Sequence, residues 1–177
     1  MSKNKFNDGF FANVCEKKVW ERLSSGDSTE FYWSERLIDR YRDKIDWRAI
    51  SRNRNVLWSA LLLERFQGYL YWDEVSSLDC EGLFSVENLK KFSSKWNWRE
   101  LSSNRFVCWT MEKVEEFKDF IDWDKIINLD YHEGLYTLDF FEKYKEYIPG
   151  SFLQDSSLYE EIVNIYMSKQ IEEILAQ

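Results

Sequence analysis

Trp33-Ser34-Glu35-Arg36-Leu37-Ile38-Asp39-Arg40-Tyr41-Arg42-Asp43-Lys44-Ile45-Asp46-Trp47-Arg48-Ala49-Ile50-Ser51-Arg52-Asn53 is the stretch that decides the fold, because most of it returns four more times. Its opening pair recurs as Trp58-Ser59, Phe84-Ser85, Trp109-Thr110 and Tyr136-Thr137, at spacings of 25, 26, 25 and 27 residues. Trp47 recurs as Trp72, Trp98 and Trp123, each 14 residues after the first aromatic, and Gly150 takes that place in the fifth repeat. Two series locked in register mark a tandem array.

Three further columns give each repeat its shape. Ile38, Leu63, Leu89, Val114 and Phe141 are followed by the rings Tyr41, Phe66, Phe92, Phe117 and Tyr144, and then by Ile45, Leu70, Trp96, Ile121 and Ile148. Offsets of three and four residues place these columns on one stripe of a helix. The Ser or Thr ahead of each helix is a preferred N-cap, so every repeat opens with a capped helix of about three turns. Asp46, Asn97 and Asp122 precede Trp in the same way, and Ile50, Leu101 and Ile126 follow Trp by three positions, which describes a second helix of about one to two turns. Ser51-Arg52-Asn53 and Ser102-Ser103-Asn104 predict a tight exit through local side-chain bonds to the backbone.

The resulting architecture is all-α, an α-solenoid of about five helix-turn-short-helix repeats over 33–57, 58–83, 84–108, 109–135 and 136–157. Residues 1–32 read as a degenerate N-terminal unit, with Phe10 to Val19 as its front half and Trp20-Glu21-Arg22-Leu23-Ser24-Ser25 as its back half. Residues 158–177 read as a C-terminal capping helix on a stripe of Leu158, Ile162, Ile165, Tyr166, Ile171 and Ile174. All of 1–177 is read as one domain, since a single helix pair buries too little surface to stand alone.

The repeat resembles a family of Trp-rich tandem repeats of bacterial and large-virus proteins, with a pattern near Trp-Ser-x-x-Leu-Ile-x-x-Tyr-x-x-Lys-x-Asp-Trp-x-x-Leu-Ser-x-Asn. Trp33 to Asn53 matches it almost position for position, and the likeness covers residues 20 to about 150. Gly150, and Ile127 in place of Ser, depart from it. The resemblance implies the helical architecture and no defined biochemical activity.

Composition excludes several classes. Aromatics make up 18% of the chain, with nine Trp against one Pro, which argues for a packed core rather than disorder. No apolar run is long enough to span a bilayer, and the segment MSKNKFNDGFF lacks a signal peptide's apolar centre, so the cytoplasm is the expected compartment. Cys15, Cys80 and Cys108 are too far apart for a metal or redox motif and are expected to be reduced and mostly buried. No cofactor is expected. His132 is the only histidine, and Asp73-Glu74 and Glu115-Glu116 are adjacent carboxylates that diverge on a helix, so no catalytic constellation is present in the sequence.

Charge narrows the partner. The net charge is -8, distributed by segment as 0 for 1–32, +3 for 33–57, -4 for 58–83, +3 for 84–108, -5 for 109–135 and -5 for 136–177. Glu112, Glu115, Glu116, Asp119, Asp122, Asp124, Asp130 and Glu133, continued by Asp139, Glu142 and Glu146, form an acidic surface suited to a basic groove. Arg48, Arg52, Arg54, Arg99 and Arg105 form the basic counterpart. The expected function is a non-catalytic module that binds a protein partner, one that is itself basic or binds nucleic acid. A narrower alternative is a small acidic inhibitor of a nucleic-acid-binding effector, of the anti-CRISPR type that mobile elements use against host defence. Direct RNA binding through the arginines is a third, disfavoured by the negative net charge.

The Trp columns are read as core, so Trp72→Ala is expected to cost about 3 to 5 kcal/mol in a denaturant titration.

Overall fold

The structure, a computed structural model, describes residues 8–26, 31–131 and 134–176. It is all-helical among the described residues, apart from one isolated parallel bridge between Trp33 and Val56. After α1 (Asp8–Ser25) the helices come in pairs: α2 (Glu35–Tyr41) with α3 (Trp47–Ser51), α4 (Ala60–Phe66) with α5 (Trp72–Ser76), α6 (Val86–Lys91) with α7 (Trp98–Ser103), α8 (Met111–Phe117) with α9 (Trp123–Ile126), and α10 (Leu138–Tyr144) with α11 (Gly150–Leu153). The last helix is α12 (Ser157–Leu175). Two compact units are formed, one up to Leu83 and one from Phe84 onward. In the first, α3 packs against both α1 and α5; in the second, α7 packs against α9.

The opening helices are six or seven residues long, two turns rather than three. Their start is the expected one: Ser34, Ser59, Ser85, Thr110 and Thr137 each accept the amide N–H three residues on. Their end is set by the tryptophan of the second helix. The indole N–H of Trp47 donates to Arg42 O at 3.1 Å, Trp72 to Gln67 O at 3.1 Å, Trp98 to Ser93 O at 2.9 Å and Trp123 to Lys118 O at 3.1 Å. Each acceptor lies just past the long helix, where carbonyls otherwise lack a helical partner. Asp46 and Asn97 cap the second helices as expected, but the Asp122 side chain makes no cap bond and pairs instead with Arg99.

Successive repeats are tied by a buried serine whose role the sequence reading assigned only to the local exit. Ser51 Oγ donates to Trp47 O at 2.7 Å and accepts Tyr71 N–H, from the next repeat, at 3.0 Å. Ser102 Oγ does the same with Trp98 O at 2.6 Å and Asp122 N–H at 2.9 Å. Ser24 accepts Asp46 N–H at 3.0 Å, so the N-terminal segment supplies the same link to the first repeat. The first aromatic column adds a second tie. Trp33 Nε1 donates to Leu23 O at 2.9 Å, Trp109 Nε1 to Leu101 O at 3.1 Å, and the Tyr136 hydroxyl to Ile126 O at 2.6 Å. The exits also form as expected: Asn53 and Asn104 accept the amides of Asn55 and Phe106 at 2.7 and 2.9 Å. Gly26 sits at φ 79° against Asn53, where a Cβ would approach Asn53 Oδ1 to 2.5 Å. Only glycine fits there.

Burial follows the columns with instructive exceptions. Trp33, Phe84, Trp109 and Tyr136 are buried, as are Ile38, Leu63, Leu89 and Val114. In the fifth repeat Phe140 is buried and Phe141 only half so. Trp47, Trp72 and Trp98 are half-buried, whereas Trp123, which makes the same indole bond, is buried. The expected core role of this column therefore holds in full only for Trp123. α1 runs unbroken through both halves of the expected degenerate unit. Of the α12 stripe only Leu158 and Ile162 are buried, while Tyr166, Ile171 and Ile174 are exposed. Cys15 is exposed and Cys80 and Cys108 are half-buried, so the thiols are not the buried set expected.

Two matched substitutions test this account. Ser102→Ala, which strands the Asp122 amide at a buried site, is expected to cost about 1 to 3 kcal/mol, and Ser103→Ala next to it under about 0.5 kcal/mol, read from urea midpoints. Trp72→Ala is now expected to cost about 2 kcal/mol, below the full cost of a buried ring.

Candidate interaction surface

The repeat framework determines which charges face water. A position six residues after the first aromatic pairs with a position seven residues after it in the next repeat, and this occurs three times. Asp39 meets Arg65, Lys90 meets Glu116, and Glu115 meets Lys143, each at 2.8 Å. The polarity reverses in the middle case. Arg65 also reaches Glu35 at 2.6 Å.

The basic candidates are drawn into the same scheme. Arg48 pairs with Glu74 at 2.8 Å, Arg54 pairs with Asp79, and Arg99 pairs with Asp122 at 2.8 Å. Arg105 lies over the ring of Phe106, 4.8 Å from its centroid, and Arg52 is exposed. Four of these five arginines thus sit beside a carboxylate or a ring, which dilutes the field that a phosphate would meet. Exposed pairs of this kind contribute about 0 to 1 kcal/mol each. Their larger effect is on which repeat edges match.

The acidic candidates divide into two groups. Glu115, Glu116 and Asp122 are held in the ion pairs above, whereas Glu112, Asp119 and Asp130 stand exposed and Asp124 is half-exposed. Glu133 and His132 lie outside the described residues. Met111, Glu112, Glu115, Glu116 and Lys143 line an open cleft of about 580 Å³ along α8 and α10. Within it the Lys118 ammonium, then Lys143 and the Tyr144 hydroxyl, hold the Glu115 carboxyl down at about 2. A second open cleft, about 500 Å³, is lined by Glu16, Trp20, Lys44 and Asp46 among others. Among the described residues no group of three or more His, Cys, Asp and Glu is placed to hold a metal ion, and no helix is long and apolar enough to cross a membrane.

An aromatic ladder was missed in the sequence. Tyr69 stacks on Trp47 at 4.7 Å and Tyr147 on Trp123 at 5.2 Å, and Phe120 lies tilted against Trp98 at 4.9 Å, each of the three outer rings exposed. The equivalent Lys44 lies 5.4 Å from the Trp20 ring. The signal was available as a column, Lys44, Tyr69, Lys95, Phe120 and Tyr147, at the same spacings as the first aromatic. Its mixed chemistry hid it among the core columns.

Comparison of the chain with protein-family models, with curated proteins and with solved structures finds no match.

Because the Glu115 carboxyl titrates lower in the folded chain than its ordinary 4.5, its contribution is complete above that pH and is lost as pH falls toward 2. Urea midpoints of the wild-type chain are expected to fall over this window, and Glu115→Gln to remove part of that fall while leaving the slope above pH 5 (about the upper edge of carboxylate titration) unchanged.

Proposed function

We propose that the chain is a non-catalytic protein-protein interaction module, its helix pairs stacked as a small α-solenoid of the Trp-rich repeat type. The observation that carries this reading is a division of labour within each repeat. The recurring residues, Trp, Ser and the first aromatic, are occupied in tying helix to helix and repeat to repeat. The residues that vary between repeats, charges and the outer rings of the ladder, face solvent. Repeat arrays that bind partners divide their positions in this way.

A second reading is favoured by the exposed carboxylates Glu112, Asp119 and Asp130: an acidic inhibitor that occupies the basic groove of a nucleic-acid-binding effector. An origin in the cytoplasm and a basic protein partner belong to both readings.

The test is a pull-down with the tagged full chain, with and without nuclease, beside a Glu112→Lys, Asp119→Lys double variant. The expected result is a protein partner retained after nuclease and weakened by the charge reversal, with a nucleic-acid-processing partner favouring the inhibitor. Recovery of RNA alone, lost as salt rises, would replace both readings with the arginine-based one.

A further inference from the structure

The column that carries the outer rings of the ladder reads Asp43-Lys44, Gly68-Tyr69, Ser94-Lys95, Asp119-Phe120 and Glu146-Tyr147 with the residue before it. Only in the last two repeats does a ring follow a carboxylate. Phe120 is 49% and Tyr147 39% exposed, and Asp119 and Glu146 are exposed and take part in no ion pair among the described residues. The neighbouring cations are already paired, Lys118 with Glu115 at 2.7 Å and Lys145 with Glu142 at 2.8 Å. Residues 109–135 carry a net charge of -5 and residues 136–157 a further -2. The face of an aromatic ring is the negative side of its quadrupole, so a ring beside an unpaired carboxylate selects a cation.

The first unit shows the same combination filled from within. Lys44, at the column position of Phe120 and Tyr147, sets its ammonium 5.4 Å from the centre of the Trp20 ring and 2.8 Å from the Glu16 carboxylate. The Arg48 guanidinium lies 5.8 Å from the centre of the Tyr71 ring and bonds Glu74 at 2.8 Å. Among the described residues no cation of the chain lies over Phe120 or Tyr147.

We propose that Phe120 with Asp119, and Tyr147 with Glu146, are two subsites for arginine side chains on an extended basic segment of the partner protein. The proposal rests on the interaction-module reading above and names the chemistry of the partner. Arginine suits the subsites better than lysine, because a guanidinium stacks flat on a ring while its edge donates to a carboxylate. The spacing follows from the helices. α8 and α10 lie side by side, joined where Glu115 receives both Lys143 and the Tyr144 hydroxyl. Packed helices are roughly 8 to 10 Å apart, and a polyproline II segment advances about 3.1 Å per residue and realigns its side chains every third residue. The two arginines therefore stand three positions apart, as Arg-x-x-Arg.

The probe is a short fluorescein-labelled serine peptide with arginine at every third position, its binding to the full chain read by fluorescence anisotropy. Binding is expected to weaken about tenfold in the Phe120→Leu, Tyr147→Leu chain and about fivefold in the Asp119→Asn, Glu146→Gln chain. The second variant leaves every ring contact in place, so its effect is read even where the first loses stability. The same peptide with lysine, or with its arginines adjacent, should bind more weakly. A wild-type chain that does not bind the peptide overturns the proposal, as does binding indifferent to both double variants. Equal binding of the lysine peptide overturns the guanidinium subsites, and equal binding of adjacent arginines overturns their spacing. A protein captured in the pull-down and released by Glu112→Lys, Asp119→Lys, but held by the Phe120→Leu, Tyr147→Leu chain as by the wild type, would sink these subsites and leave the module reading standing.

Discussion

Helices of four to seven residues are too short to persist in water without external support, and the paired helices of this protein, α2 to α11, are all of that size. The constraint is met by tryptophan. One indole begins the second helix, covers the aromatic ring of the following repeat, and donates its N–H to a carbonyl beyond the first helix. A residue with a large apolar face and one directional donor is the side chain that can do all three. Gly150 shows what happens without it: α11 still forms, as a single turn behind Pro149, but with no ring to carry contact forward.

With the ends of the helices held, adjacency rests on backbone groups. Ser24, Ser51 and Ser102 are completely buried and each joins its own helix to the amide that opens the second helix of the next repeat. A buried amide left without that oxygen costs more than the bond itself contributes, so serine here fixes a distance between backbones as much as it adds stability. Where Ile127 replaces serine in the fourth repeat, the connection changes kind: Ile127 O accepts Leu158 N–H at 3.0 Å, and α12 is received there. The departure from the repeat pattern coincides with the place where the array gives way to a different element.

Ion pairs add order to this frame. The six-to-seven pairing repeats three times with one reversal of sign, and the paired groups remain partly exposed, so their direct contribution is small. A wrong neighbour would bring like charges together, and that penalty discriminates between registers even where the right pairing stabilises little. The same economy explains why the functional charge is hard to read from composition. Much of the negative charge that looks available in the fourth repeat is occupied in holding its neighbours, leaving a smaller exposed set around Glu112, Asp119 and Asp130.

The sequence alone determined the period, the all-helical class, the serine and threonine caps and the buried columns at Ile38, Leu63, Leu89 and Val114, because each follows from spacing within one repeat. It also placed Trp47, Trp72 and Trp98 in the core, where the tertiary structure leaves them half-buried. Contacts between repeats were decided only by the fold: the second bond of Ser51 and Ser102, the pairing of Arg48, Arg54 and Arg99 with carboxylates, and the diversion of Asp122 from its cap to Arg99. So was the fate of α12, whose periodicity announces an apolar helix without saying which of its faces the protein covers. Spacing along a chain fixes which side chains share a face; which face meets which depends on how one repeat lies on the next, and that is a property of packed backbones.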